Sequence, residues 1–295
     1  MPVIDTVLPS FIVIGLAYVL QRYKRMEIRA LIETALYLAS PCLIFSSLSS
    51  KSYSLAELFP VVISAVFVVL GSLAVSRAVF LTLGVSDIDA RTLPVVLINS
   101  GNLGIPISLF AFGEEALGVI VMFFVTSAMF TYTLGILLAA RSSGSSNRPW
   151  LEVFKLPLLY AAILGVLVSV LEIDLPIIVS RPVGILGQAA IPLFLISLGM
   201  SLAEIDPRRQ FAPALLSAVM RISLGILFGV ASAFVLGLTG VERGVVILQS
   251  SMPPAVASFM LSRKYGCNPG LVSATVFTGT LISIFTISLV LNFAI

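Results

Sequence analysis

Long apolar runs alternate with short polar gaps along the whole 295-residue chain. The runs are too long and too uniformly apolar for barrel strands, which alternate over about 10 residues. Since a membrane-crossing helix needs about 20 residues, the pattern predicts an all-α membrane protein with ten transmembrane helices. The predicted spans are 3–20, 31–48, 58–82, 93–112, 117–140, 152–171, 182–202, 212–238, 243–262 and 270–293.

Composition agrees with this class and excludes several kinds of site. Hydrophobic residues make up 59% of the chain and charged residues 11%, against about 25% charged in soluble domains. The chain has no His, so imidazole metal centres, Ser-His-Asp triads and imidazole proton relays are excluded. Two isolated cysteines suggest neither a thiolate cluster nor a disulfide framework. We therefore expect no enzymatic activity, no metal or other cofactor, and no nucleic-acid partner.

Basic residues are distributed unequally between the gaps. We number the gaps between the spans along the chain. The odd-numbered gaps hold twelve Lys or Arg, if Lys155, which lies on the same side of the membrane, is included, and the even-numbered gaps hold three. Cytoplasmic loops carry this excess in membrane proteins. The sequence therefore predicts a multi-pass protein of the cell membrane with both termini outside.

The two halves of the chain resemble each other. A polar segment at 141–150 separates five predicted spans from five, so the second half must enter the membrane in the opposite sense. Val95–Ser100 also aligns with Val245–Ser250 at an offset of 150. We predict two inverted five-helix repeats, 1–140 and 151–295, joined by a cytoplasmic linker at 141–150. Such repeats are typical of secondary transporters.

The fourth and ninth predicted spans contain helix-breaking residues at mid-membrane depth. The fourth contains Asn99-Ser-Gly-Asn-Leu-Gly-Ile-Pro106, and the ninth contains Gln249-Ser-Ser-Met-Pro-Pro-Ala255. Gly disfavours a helix by about 1 kcal/mol and Pro by about 3 kcal/mol. We expect the fourth helix to unwind and restart near Pro106, and the ninth to break at its two prolines.

Unwound backbone at this depth is tolerated only where it is buried in protein or lines a cavity. Each restarted helix also has a positive N-terminus, which favours an anion. If the repeats are antiparallel, the two breaks can cross and form one binding site; the alternative is a pair of structural kinks in which Asn and Ser satisfy their own backbone. The candidate substrate-binding residues are Asn99, Ser100, Gly101, Asn102, Gly104, Pro106, Gln249, Ser250, Ser251, Pro253 and Pro254.

Charged residues inside the spans are few. No acidic residue lies at a span centre or in either break, which argues against cation or proton antiport through an embedded carboxylate. A sodium site made of carbonyl and hydroxyl oxygens stays open. Asp5 is expected to be solvated at the outer surface, and Arg77 to reach the inner end of its helix. Arg221 lies deeper, and a structural or inner-vestibule role is as compatible with the sequence as substrate contact.

The two broken segments also carry a family resemblance. Asn99–Pro106 with Phe112–Glu115 resembles the fourth-span motif of the auxin efflux carrier family, and Ser251–Ala255 with Tyr265–Gly266 and Pro269 resembles its ninth-span motif. The resemblance covers essentially the whole chain. It implies a scaffold bundle and a transport bundle whose broken helices cross, elevator-like movement, and often a homodimer. Members of the family export auxins or carry malate and malonate, and the short central loop is similar to that of compact prokaryotic permeases.

These features together favour one function. We expect a secondary transporter (permease) of a small organic anion, a carboxylate, working by alternating access at the crossed broken helices. A membrane-embedded ligand sensor without turnover and a passive channel are the alternatives. The expected partners are the organic anion and the lipid bilayer, with a homodimer suggested weakly by the small-xxx-small pair Gly225 and Gly229.

Overall fold

The computed structural model describes residues 3–49, 55–142, 154–205 and 210–294. Within these ranges the regular structure is helical, apart from one isolated β-bridge. Seven of the described helical segments are long and apolar enough to cross a membrane, judged by length and composition. The all-helical class of the sequence prediction is therefore confirmed.

The helices of the first half follow the predicted apolar runs. Five-residue π-helical turns join α2 to α3 and α7 to α8, and another precedes α6. Of the predicted linker 141–150, the structure describes only the end of α8, and the remainder lies outside the described residues. The helices are α1 Val3–Lys24, α2 Arg29–Thr34, α3 Ser40–Ser49, α4 Leu55–Thr82, α5 Ile88–Val96, α6 Ile105–Phe112, α7 Leu117–Phe130 and α8 Ile136–Ser142.

The helices of the second half show clear start and stop signals. Pro157 occupies the first turn of α9, where its missing N–H costs nothing. Gly266 ends α13 in the left-handed conformation, with φ of 68°. The helices are α9 Pro157–Val170, α10 Ile177–Ala203, α11 Phe211–Val235, α12 Gly240–Ser250, α13 Val256–Tyr265 and α14 Pro269–Ala294.

The helices pack as two bundles. In the smaller bundle, α10 packs against α1 and α3, and α9 packs against α3. In the larger bundle, α11 packs against α4, α5, α12 and α14, while α7 packs against α4 and α13 packs against α14. The smaller bundle thus consists of α1, α2, α3, α9 and α10, and the larger bundle consists of α4 to α8 and α11 to α14. One continuous apolar core extends through both.

The break in the fourth predicted span lies upstream of its predicted position. Helix α5 ends at Val96, Leu97 is extended, and helical geometry resumes at Ser100 as a π turn that runs directly into α6. Pro106 lies inside the first turn of α6. The α-helix therefore resumes next to Pro106, as predicted, but the preceding π turn already gives helical geometry from Ser100 onward. A proline ring crowds the carbonyl one turn earlier, and the wider π turn provides room for it there.

The packing of α14 against the second break predicts a stability effect. A Cβ at Gly279 would overlap the rigid ring of Pro254, whereas a Cβ at Gly15 would meet no atom within 4 Å. We expect Gly279→Ala to destabilise the protein by about 1–3 kcal/mol through overpacking. Thermal unfolding in detergent measures the effect, and Gly15→Ala is the matched control. Equal melting temperatures for the two variants would contradict the packing of α14 on the break.

Candidate functional site

The two helix interruptions are hydrogen-bonded to each other. The backbone N–H of Asn99 donates to the carbonyl of Pro253 at 2.9 Å, and that of Ala255 donates to the carbonyl of Leu97 at 2.9 Å. These bonds flank an isolated antiparallel bridge. Because Pro253 and Pro254 have no N–H, α12 cannot continue through them. The unwound segments thus satisfy each other's backbone groups, as burial away from water requires.

A cavity of about 130 Å³ adjoins this crossing, between the two bundles. A cavity of about 150 Å³ holds one benzene molecule, so the space suits a small organic molecule. None of the described residues that line it is charged. The lining residues are Ile32, Ala35, Leu36, Leu158, Phe194, Ser197 and Ser201 from the smaller bundle, and Ile98, Asn99, Ser100, Gly101, Asn102, Phe124, Ala128, Thr131, Tyr132, Ala255, Val256, Ala257 and Met260 from the larger bundle.

Neutral polar groups give the cavity its chemistry. The Nδ2 of Asn102 donates to the Oγ of Ser197 at 3.3 Å, which links the larger bundle to the smaller. The Oγ atoms of Ser100 and Ser127 lie 2.5 Å apart. The Nδ2 of Asn99 is buried and has no hydrogen-bond partner within the described part of the chain. Asn99 thus lines the cavity, while its unpartnered Nδ2 is enclosed by protein atoms.

A second, larger cavity of about 530 Å³ adjoins the first. The two share Ile32, Ser201, Val256 and Met260 in their linings. Among the residues that the structure describes, charged groups line the second cavity but not the first. They include two ion pairs, Arg29–Glu33 at 2.7 Å and Arg263–Glu204 at 3.9 Å, together with Glu27. A cavity lined by apolar and neutral polar residues thus adjoins the second, charged cavity, which we call the vestibule.

The structure divides the candidate site residues into two groups. Asn99, Ser100, Gly101 and Asn102 line the first cavity. The others are buried but do not appear in that lining, and they pack around the crossing. This second group comprises Gly104, Pro106, Gln249, Ser250, Ser251, Pro253 and Pro254.

The second group makes its contacts within the protein. A Cβ at Gly104 would overlap the Oε1 of Gln249, so the glycine lets this amide approach the restarted helix. Both amide atoms of Gln249 are buried without a hydrogen-bond partner among the described residues. The Oγ of Ser251 donates to the carbonyl of Leu248 at 2.7 Å, which matches the structural-kink interpretation for this one residue.

Both arginines inside the apolar runs have protein partners. Arg77 forms an ion pair with Asp89 near the end of its helix, in agreement with the expectation that its charged group extends toward that end. Arg221 is fully buried and donates to the carbonyls of Val95 at 2.8 Å and Ser250 at 3.0 Å. Neither arginine lines either cavity. Arg221 instead contacts the last turn of each interrupted helix.

Sequence reasoning missed the lining residues outside the two breaks. Ser197 and Ser201 are one helical turn apart in a predicted span, and this spacing is the only signal that the sequence offered. Thr131 and Tyr132 lie in a predicted span that contains no proline and no cluster of helix-breaking residues. Their place at the cavity depends on how α7 and α8 pack against the smaller bundle.

Comparison with known proteins identifies the family. A family model described as "Membrane transport protein" matches residues 2–291. The chain belongs to this membrane transport protein family. Two archaeal relatives match it over most of their lengths, and both carry the description of uncharacterized transporter. The relative from Methanothermobacter thermautotrophicus is 29% identical over 97% of this chain and 96% of its own. The relative from Methanocaldococcus jannaschii is 25% identical over 90% and 89%.

Plant proteins are also similar to about half of this chain. Auxin efflux carrier component 1 of Arabidopsis thaliana is 26% identical over 46% of this chain and 23% of its own length. Probable auxin efflux carrier component 1b of Oryza sativa is 28% identical over 46% and 26%. The suspected auxin efflux carrier relationship is thereby confirmed, and the protein is a multi-pass membrane protein of a transporter family.

A residue that lines both cavities allows a prediction about the reactivity of an introduced thiol. Met260 lines both cavities and is 42% exposed, whereas Ser283 on α14 is fully buried. In a variant with Cys42 and Cys267 replaced by Ser, we expect Met260→Cys to react rapidly with a small charged thiol reagent, because water reaches it through the vestibule. Mass spectrometry measures the labelling, and Ser283→Cys is the control. Equal rates for both thiols would contradict an open vestibule.

Proposed function

We propose that this protein is a secondary transporter that moves a small organic anion, a carboxylate, across the cell membrane by alternating access. The observation that carries the proposal is the cavity between the two bundles, which the two crossed segments help to line. Its volume suits a molecule of a few carbons, and its neutral donors suit a carboxylate. The descriptions of the plant relatives as auxin efflux carriers agree with an organic acid as the substrate class.

The backbone around the cavity favours an anion. Helix α13 begins at Val256, and its N-cap Ala255 and first two residues line the cavity. Ser100 to Asn102, which start the helical segment after the first break, line it as well. The first turn of a helix has N–H groups without intrahelical partners and a positive partial charge. Two such turns meet at one cavity, and none of the described lining residues is a carboxylate that would repel an anion.

The two bundles supply elements for movement. Each half of the chain contributes two predicted spans to the smaller bundle and three to the larger. This equal division, with the antiparallel pairing of the two breaks, supports the inverted-repeat architecture. Because the cavity walls come from both bundles, sliding of the larger bundle along the smaller would carry the bound anion and change the side to which it is exposed.

The vestibule indicates which side is open. Its charged lining residues are Glu27, Arg29, Glu33, Glu204 and Arg263, and all five lie in or beside the gaps that the distribution of basic residues assigns to the cytoplasm. With both termini outside, as the basic residues predict, a vestibule on this side corresponds to an inward-open state.

Flux measurements test the transport function and the site together. Purified protein is reconstituted into proteoliposomes, and uptake of labelled malate, malonate and indole-acetate is measured. We expect saturable uptake of at least one of these acids. Asn102→Ala is expected to reduce it by about tenfold, because the variant removes a donor that links the bundles beside the cavity and a lost bond of this kind costs about 1.4 kcal/mol. Asn292→Ala, near the exposed end of α14, is the control.

Each alternative has a distinct outcome. Undiminished uptake by Asn102→Ala would exclude the proposed site. Thermal stabilisation by one of the acids without any flux would indicate a sensor instead of a transporter. Single-channel currents far above carrier turnover would indicate a channel.

A further inference from the structure

Arg221 lies where both interrupted helices end. Its Nη1 donates to the carbonyl of Val95 in the last turn of α5, and its Nη2 donates to that of Ser250 at the end of α12. The side chain is fully buried and lines neither cavity. Gly225 and Gly229 on the same helix face Ser250, and a Cβ at either position would crowd it. The small-xxx-small pair thus brings α11 close enough for the arginine to reach both helices.

The two carbonyls that Arg221 contacts are ones that the crossing deprives of their helical partners. In an α-helix each carbonyl accepts from the N–H four residues later. The partner of Val95 would be the N–H of Asn99, which donates to Pro253 instead. The partner of Ser250 would be residue 254, which is a proline without an N–H. Arg221 therefore satisfies one orphaned carbonyl in each interrupted helix.

The charge of Arg221 also balances the two helix ends. A helix C-terminus carries about half a negative charge, and its N-terminus about half a positive charge. Two such C-termini meet at Arg221, so one guanidinium offsets about the whole of their negative partial charge. The N-termini of the restarted helices face the cavity and give it a positive potential. Because Arg221 neutralises the ends of α5 and α12, these ends no longer reduce that potential.

We propose that Arg221 is a positioning residue of the anion site. It acts through the ends of α5 and α12, whose carbonyls it binds and whose negative partial charge it neutralises. This inference rests on the proposed function, because it concerns the affinity of that site for an anion. Arg221 does not touch the substrate. It fixes α5 and α12 to each other at the crossing and sets the polarity that the cavity presents.

Two substitutions at this position separate charge from packing. Arg221→Lys keeps the charge, whereas Arg221→Gln keeps a donor and removes the charge. In proteoliposomes we expect Arg221→Gln to raise the KM for the transported carboxylate about tenfold, the size of a partly buried helix-dipole effect. Arg221→Lys is expected to raise KM less than about threefold. Arg77→Gln removes the other arginine within the apolar runs and is the matched control, with its KM expected to be unchanged.

A structural role alone would have a different signature. It would lower the yield and melting temperature of Arg221→Gln but leave the KM of the folded protein unchanged, and that result would overturn the proposal. A tenfold rise in KM for Arg221→Lys would overturn it too, and this variant decides the matter if Arg221→Gln does not fold. Absence of saturable flux in the wild-type protein would count against the transport function itself. In that case the melting temperatures of the three variants still test the two hydrogen bonds, which predict that Arg221→Gln is less stable than Arg77→Gln.

Discussion

The need to satisfy backbone hydrogen bonds away from water governs this structure. A helix that ends inside a bilayer leaves carbonyl and N–H groups that no water can reach. Here two helices end at the same place, and the N–H groups of Asn99 and Ala255 bond across the crossing. Neither break could be accommodated in this way alone. The crossing is therefore a reciprocal arrangement, and the cavity, the helix ends and Arg221 all take their positions from it.

The same constraint explains how the proposed anion binds in a cavity whose described lining has no charged side chain. Two restarted helices turn their N-termini toward it, so the backbone supplies a diffuse positive potential. The guanidinium of Arg221 binds the carbonyl ends of α5 and α12 and does not line the cavity. A fixed charge that does not contact the ligand avoids the tight ion pair that would slow its release. This division between a neutral contact surface and a remote charge suits the proposed transport, in which an anion binds and is then released.

Local sequence signals predicted the features that local chemistry decides. The apolar runs predicted the helices, and the consecutive prolines at 253 and 254 predicted the second break, because no neighbour can supply their missing N–H groups. Pro106 predicted where the α-helix resumes, but the π turn at Ser100–Gly104 that precedes α6 was not predicted. The lining by Ser197 and the partners of Arg221 depend on how distant helices pack. The pairing of the two breaks determines which carbonyls lose their helical partners. This pairing joins segments that are far apart in the sequence, so the sequence alone does not reveal it.

The pairing of the two breaks is the central claim, and a disulfide tests it directly. Ile98 and Pro254 form the bridge, and the bonds on either side make them a non-hydrogen-bonded pair. Such pairs have Cα atoms about 4.5 Å apart, within the range of a disulfide. With Cys42 and Cys267 replaced by Ser, Ile98→Cys combined with Pro254→Cys should cross-link under mild oxidation, as shown by mass spectrometry of the linked peptides. A folded double variant that stays reduced would contradict the crossing.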